Sequence, residues 1–320
     1  MARTKKEQPT GGAYAELLVP IQKLEKDVRQ AVRTMPIGQA RFLVDAYYSL
    51  QMDRIAKAAQ IRAMEAADQR EPHEVLDWLF AQDEILEKSM KNVLGDFAES
   101  RVVGRWALSI NGIGPVISAG LIANIKMVVW VCAASPEVKK KRVRVKEQCN
   151  ILNPCTVACH EERTSMAGRI WRYAGLDPTV TWGKGEKRPW NSALKVLCWK
   201  IGESFVKQHN NPKDFYGQFY RMRKEREVKK NEALEFRDQA EHILKTKRIG
   251  QETEAYKWYS QGMLPPAHIQ ARSKRYAVKL FLSHWLQVAY RETFNADAPR
   301  PYALDILGHK DEIQVPNWPF

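Results

Sequence analysis

No stretch of this chain is apolar for long enough to cross a bilayer, and its first residues lack the hydrophobic segment of a secretion signal. The expectation is a soluble, cytoplasmic protein, associated with the nucleoid if its partner is DNA, and without a membrane partner. Cysteine is scarce: five in 320 residues, an odd number with no Cys-x-x-Cys pair, which argues for reduced thiols rather than a disulfide framework. No internal repeat is present. No clustered set of acidic residues stands out either. Asp83 and Glu84, and Glu161 and Glu162, are adjacent in sequence. On a helix such neighbours point about 100° apart and do not converge on one ion. Acidic residues are also in the minority, 37 against 51 lysines and arginines, for a formal net charge of +14. That imbalance points to a polyanionic partner.

What is present centres on residues 108–125. Asn111 and Gly112 supply turn chemistry, and Gly114 precedes Pro115, which suits a first helical position because its missing N–H costs nothing there. Val116, Ser118, Ala119, Gly120 and Ala123 then make a helix able to approach a neighbour closely. With a helix-compatible segment before it, this is a helix-hairpin-helix pattern, and Ile113 is the apolar plug between its helices. Free amides at Gly112, Gly114 and the following turn would face outward at a helix N-terminus. On a basic protein the anion they meet is expected to be a nucleic-acid phosphate. The competing reading is a packed helical hairpin with no ligand.

Around this stretch the chain reads as mainly all-α. Residues 1–13 are a polar, basic arm expected to be disordered. Over 14–99, Leu17, Leu18, Ile21, Leu24 and Val28 recur at helical spacing, and Pro36 and Gly38 break the pattern. Phe42, Leu43, Ala46, Tyr47, Leu50, Ile55 and Ala58 resume it up to a boundary at Pro72. Val75, Leu76, Leu79, Phe80, Ile85, Leu86, Met90 and Leu94 carry it on, as antiparallel helices or a coiled-coil arm. Residues 100–207 hold the hairpin and an irregular basic insertion, 126–164. Lys126 and the run Lys139, Lys140, Lys141, Arg142, Arg144 and Lys146 are expected to track a nucleic-acid backbone rather than to form a solvated face. Cys149, Cys155, Cys159 and His160 are zinc-ligand types at a spacing unlike a zinc knuckle, so ordinary thiols are preferred and no cofactor is expected. Residues 208–295 form long charged helices, one of them across 214–247. The last helix has Ala277, Val278, Leu280, Phe281, Trp285, Leu286 and Val288 as core and His284 as a satisfied core histidine. Residues 296–320 are a surface tail.

Between the insertion and the charged helices lies a second informative block. A short helix stops at Gly175, and a loop follows with Thr181, Trp182, Gly183, Lys184, Gly185, Lys187 and Arg188. A helix carrying Trp190, Leu194, Leu197, Cys198, Ile201 and Phe205 comes next. Lys184, Lys187 and Arg188 before a helix N-terminus suit phosphate; a plain solvated loop is the alternative.

Gly112-Ile113-Gly114-Pro115 with Ala119, then Arg172 to Pro178, Gly183 and Gly185, Lys187 and Arg188, and Asn191 with Leu194 and Lys195, occur here in that order. Over 100–207 the chain thereby resembles the C-terminal domain of the DEDD-type insertion-sequence transposases, whose better-known members are RNA-guided recombinases. The resemblance implies DNA binding and, in the family, strand cleavage by a RuvC-like acidic cluster together with a loop serine. This chain departs at both points. Helix-patterned sequence precedes the hairpin, and Thr181 followed by Trp182 and Gly183 stands where the family has Ser-Gly. Threonine without a neighbouring base is a poor nucleophile. The expected function is therefore a mobile-element DNA-binding protein lacking its own catalytic centre. It would bind double-stranded DNA or structured RNA and pair through its helical regions. The alternatives are a recombinase subunit whose partner supplies the acidic residues, and a helical scaffold that binds RNA.

Overall fold

The computed structural model describes residues 26–68, 74–132, 160–164, 166–183, 185–299 and 313–319. The chain is mainly all-α. Helices α1 (Lys26–Ala31), α2 (Ile37–Asp68), α3 (Glu74–Glu99), α4 (Val102–Leu108) and α5 (Pro115–Asn124) precede an antiparallel ribbon, β1 (Val128–Cys132) with β2 (His160–Thr164). Then come α6 (Ala167–Tyr173), α7 (Ser192–Gln208), α8 (Phe215–Glu232), α9 (Arg237–Thr246), α10 (Glu254–Ser260) and α11 (Pro266–Phe294). The ribbon was not expected in the irregular insertion. Its β-branched Val128, Val129 and Val131 favour a strand, and pairing of Val128 with Thr164 brings the two ends of the insertion together.

Pro36 ends the first helical stretch as expected, and α2 and α3 run antiparallel. The Tyr47 hydroxyl donates to Glu87 at 3.0 Å, Arg54 donates to the same carboxylate at 2.6 Å, and Lys57 reaches Asp83 at 2.7 Å. Burial raises the Glu87 carboxyl, but the hydrogen bonds from Arg54 and Tyr47 outweigh it and hold the group below the usual carboxylate range, and Tyr47 is pushed up to about 12, chiefly by burial. Only the near ends of the pair enter the core, through Ala40, Val44, Tyr47, Val93, Leu94, Phe97 and Ala98. Phe42, Ile55, Val75 and Leu79 fit the helical stripe but are exposed, because no third layer among the described residues covers them.

Helix α5 is the centre of the core. Every residue from Ser118 to Ile125 is buried. A Cβ on Gly120 would stand 2.8 Å from Leu197, so the small residue lets α7 pack directly against α5. Arg41 closes the C-terminal end of α5 by donating to the Ala123 carbonyl at 2.7 Å. On the other side, α11 brings Phe281 onto Trp106 at 5.6 Å and close to Phe205 and Tyr216. At the start of α4 the Glu292 carboxylate accepts from the Val102 and Val103 amides, both at 2.8 Å. This is an acidic cap delivered from α11.

Two of the expected elements have a different form. The single long helix over 214–247 is interrupted between α8 and α9, where Leu234 adopts φ +60. Asn231 spends its side chain there on both backbone groups of Leu264, at 2.9 and 2.7 Å. That anchors a second small core of Ala240, Ile243, Leu264 and Ile269. At the other end of the chain, residues 313–319 lie over the surface as a strap bonded to buried groups. The Pro316 carbonyl accepts from the Trp106 indole at 2.8 Å, Asn317 donates to the Ser109 carbonyl, and the Ile313 carbonyl faces His284 Nε2 at 2.9 Å.

Candidate nucleic-acid interface

The hairpin forms as its sequence indicates. Ile110 and Ile113 are buried as the plug, while Asn111 and Gly112 are exposed. Gly112 adopts φ +83, and Gly114 is the extended residue before α5, with φ −94 and ψ 176 and Pro115 following at the first helical position. The two glycines differ in kind. A Cβ on Gly112 would lie 2.3 Å from Ser204 Oγ, whereas one on Gly114 would meet nothing within 4 Å. The back of the turn is fastened to the protein: Ser204 donates to the Gly112 carbonyl at 2.7 Å, and Asn111 Nδ2 donates to the Lys213 carbonyl at 2.8 Å. The front is open. Among the described residues the amides of Gly114, Val116 and Ile117 have no backbone acceptor. The result is a fastened turn at a helix N-terminus whose amides lack backbone acceptors, an arrangement that can hold a phosphate oxygen.

The chain matches no protein family, curated protein or solved structure.

The other expected ligand-binding residues are dispersed. Lys126 lies beyond the C-terminal end of α5, about 15 Å along that helix from Gly114, so the two do not meet one phosphate. Lys187 and Arg188 precede α7, while Ser204, which holds the hairpin, is near its far end, roughly 18 Å away along the axis. Lys139, Lys140, Lys141, Arg142, Arg144, Lys146 and Lys184 lie outside the described residues, as do Cys149, Cys155, Cys159 and residues 1–13 of the expected arm. His160 begins β2, paired with Cys132. Among the described residues no group of three His, Cys, Asp or Glu could hold a metal ion, and no helix is long and apolar enough to cross a membrane. Cys198 is a buried free thiol pushed up to about 12 by its burial, which makes it unreactive.

The loop between α6 and α7 is built more tightly than its composition indicates. Helix α6 ends in a Schellman turn: Leu176 N donates to the Trp171 carbonyl and Gly175 N to the Arg172 carbonyl, with Gly175 at φ +66. Asp177 then accepts from both the amide and the hydroxyl of Thr179. These donors hold its carboxyl below the usual range. Glu186 closes the glycine turn by accepting from Gly183 N at 2.9 Å, so a carboxylate of the chain itself takes the donor that a phosphate would use. Asn191 caps α7 through Leu194 N. Thr181 is exposed on this loop, and no hydrogen bond joins it to a base among the described residues.

Residues that sequence reasoning passed over also shape the interface. Ser204 and Lys213 hold the turn from a hundred residues away, and Lys207 is exposed one residue before Gln208, whose Cγ packs toward Gly112. Nothing in their local sequence marks them, because only the docking of α7 on α5 brings them there.

Proposed function

We propose that this protein binds nucleic acid, seating the turn at 109–114 and the N-terminus of α5 on the phosphate backbone of double-stranded DNA. The observation that carries this reading is the difference between the two glycines: Gly112 is pinned to Ser204, while a side chain at Gly114 would meet nothing, next to amides that lack backbone acceptors. The net charge of +14 supplies the long-range attraction. Contacts to phosphate position a protein without reading sequence, so the binding is sequence-independent at this element. The motif order shared with insertion-sequence transposases supports a role in a mobile genetic element. Thr181, standing where that family has serine and without a neighbouring base, supports binding rather than cutting. The exposed apolar residues of the α2–α3 arm support pairing between copies.

Gly114→Val tests the reading directly. The extended backbone at this position accepts valine, so the thermal midpoint stays where it is, while the new side chain covers the amides. Duplex affinity is expected to fall about equally for unrelated sequences. The slope of log affinity against log salt is expected to flatten by about 0.9 for each phosphate that the variant no longer engages. A folded Gly114→Val protein with unchanged affinity and slope would overturn the proposal.

A further inference from the structure

A second surface runs from the loop before α7 to the middle of that helix, and it is aromatic as well as cationic. Trp182 is 41% exposed and Trp199 59% exposed, both unusual for the largest apolar side chain. Trp182 is fixed by its indole N–H, which donates to the Glu186 carbonyl at 2.7 Å. Its ring stands edge-on to Trp190 at 6.2 Å. The Arg188 guanidinium lies 5.4 Å from the Trp182 ring centre, and Lys195 Nζ lies 3.9 Å from that of Trp190. Trp199 follows Lys195 after one helical turn, a rise of about 6 Å, and so lies on the same face of α7. The tie from Asn191 Nδ2 to the Tyr173 hydroxyl, 2.8 Å, locks the loop to α6.

Among the described residues neither Arg188 nor Lys195 has a carboxylate within ion-pair distance, whereas Lys274 beside Trp199 is neutralised by Glu203. A cationic ligand would be repelled by this set. A simple apolar partner would leave the two charges facing a dry contact without counter-ions. Planar rings joined by phosphates satisfy both halves of the surface, with the rings on indole and the phosphates on Arg188 and Lys195. Bases in a duplex keep their faces stacked on one another, so only an unpaired strand can offer them.

We propose that Trp182 and Trp199, with Arg188 and Lys195, form a stacking platform for the unpaired bases of a single-stranded nucleic acid, with Trp190 as the support packed between Gly175 and Lys195. The proposal rests on the reading of this protein as a nucleic-acid binder and extends it from backbone to bases. The hairpin takes duplex phosphates near the C-terminal end of α7, and the platform takes a single strand along its N-terminal half.

The test uses the full chain with three labelled probes at one salt concentration: an oligothymidylate, an oligouridylate and a mixed-sequence duplex. Trp182→Ala and Trp199→Ala are each expected to lower single-strand affinity roughly tenfold, with duplex affinity and thermal midpoint unchanged. Trp199→Phe is expected to recover most of the loss. Equal losses on both oligonucleotides assign the site to either strand chemistry, and a preference names DNA or RNA. A folded double alanine variant with unaltered single-strand affinity overturns the platform. If that variant instead changes only the oligomeric state, the face is a protein contact and the platform is equally overturned. Duplex binding without single-strand binding removes the platform and leaves the hairpin reading intact. Single-strand binding without duplex binding does the reverse, and binding of neither removes both.

Discussion

At the scale of single residues, the hairpin was legible because its requirements are local. Ile113 had to be a plug, Pro115 had to begin a helix and Gly175 had to end one, and each does so in the fold. What could not be read was which glycine does which task. Gly112 has φ +83 and a serine hydroxyl in the space where a Cβ would go. Gly112→Ala therefore combines an unfavourable backbone region with a clash that must be relieved. It is expected to cost about 1–3 kcal/mol of stability, measurable as a lower denaturation midpoint, with any loss of DNA affinity explained by unfolding. Gly114→Val is the opposite case, with binding lost and stability kept. If the two variants lose stability equally, the division of labour between the glycines is wrong. Trp199 and Lys195 were beyond reach for a different reason. In the sequence they are two positions of an amphipathic helix, and only the packing of α7 shows that none of the described residues covers this face.

At the scale of elements, helical spacing placed α2, α3, α7 and α11, with Pro36 before α2 and Pro265 before α11, since each carries enough apolar repeats to declare its period. The same spacing overcounted the core along the α2–α3 arm, because periodicity records a face and not whether anything packs on it. The interruption at Leu234 was hidden because it depends on Asn231 finding Leu264 across the chain. Composition marks 296–320 as a surface tail, but not that its described part, 313–319, satisfies interior groups. It gives acceptors to the Trp106 indole and to His284. A chain ending at residue 312 leaves both buried donors without them, at about 1–3 kcal/mol for each group. Calorimetry is expected to show a midpoint lower by several degrees than that of the whole protein. An unchanged midpoint would mean that water replaces the strap.

At the scale of the whole molecule, one buried imidazole ties acid stability to the fold. His284 lies between Tyr216, 2.8 Å from its Nδ1, and the Ile313 carbonyl on its Nε2 side. The carbonyl can only accept, so Nε2 carries the hydrogen and Nδ1 accepts from the tyrosine. Burial pushes this group down to about 4, below its ordinary 6.5. A depressed pKa in the folded state means that the contribution is complete above 6.5 and disappears as pH falls from there towards 4. It amounts to roughly 3 kcal/mol. Denaturant titrations at pH 7 and pH 4.5 are expected to show this loss in the native chain and a smaller one in His284→Gln. Parallel losses in both would assign acid sensitivity to the carboxylates alone. The same strap that meets His284 also has a consequence in time. Trp106 and Pro316 are separated by 210 positions, and Val102 by 190 from the Glu292 that caps its helix. A ribosome adding about 5–20 residues each second takes roughly 10–40 s to cover the longer interval. Throughout that wait the emerging chain already has its glycine turn, but neither the cap nor the cover that make it rigid. On the proposed reading, the phosphate-binding turn is therefore completed late, once α11 and the strap have been made.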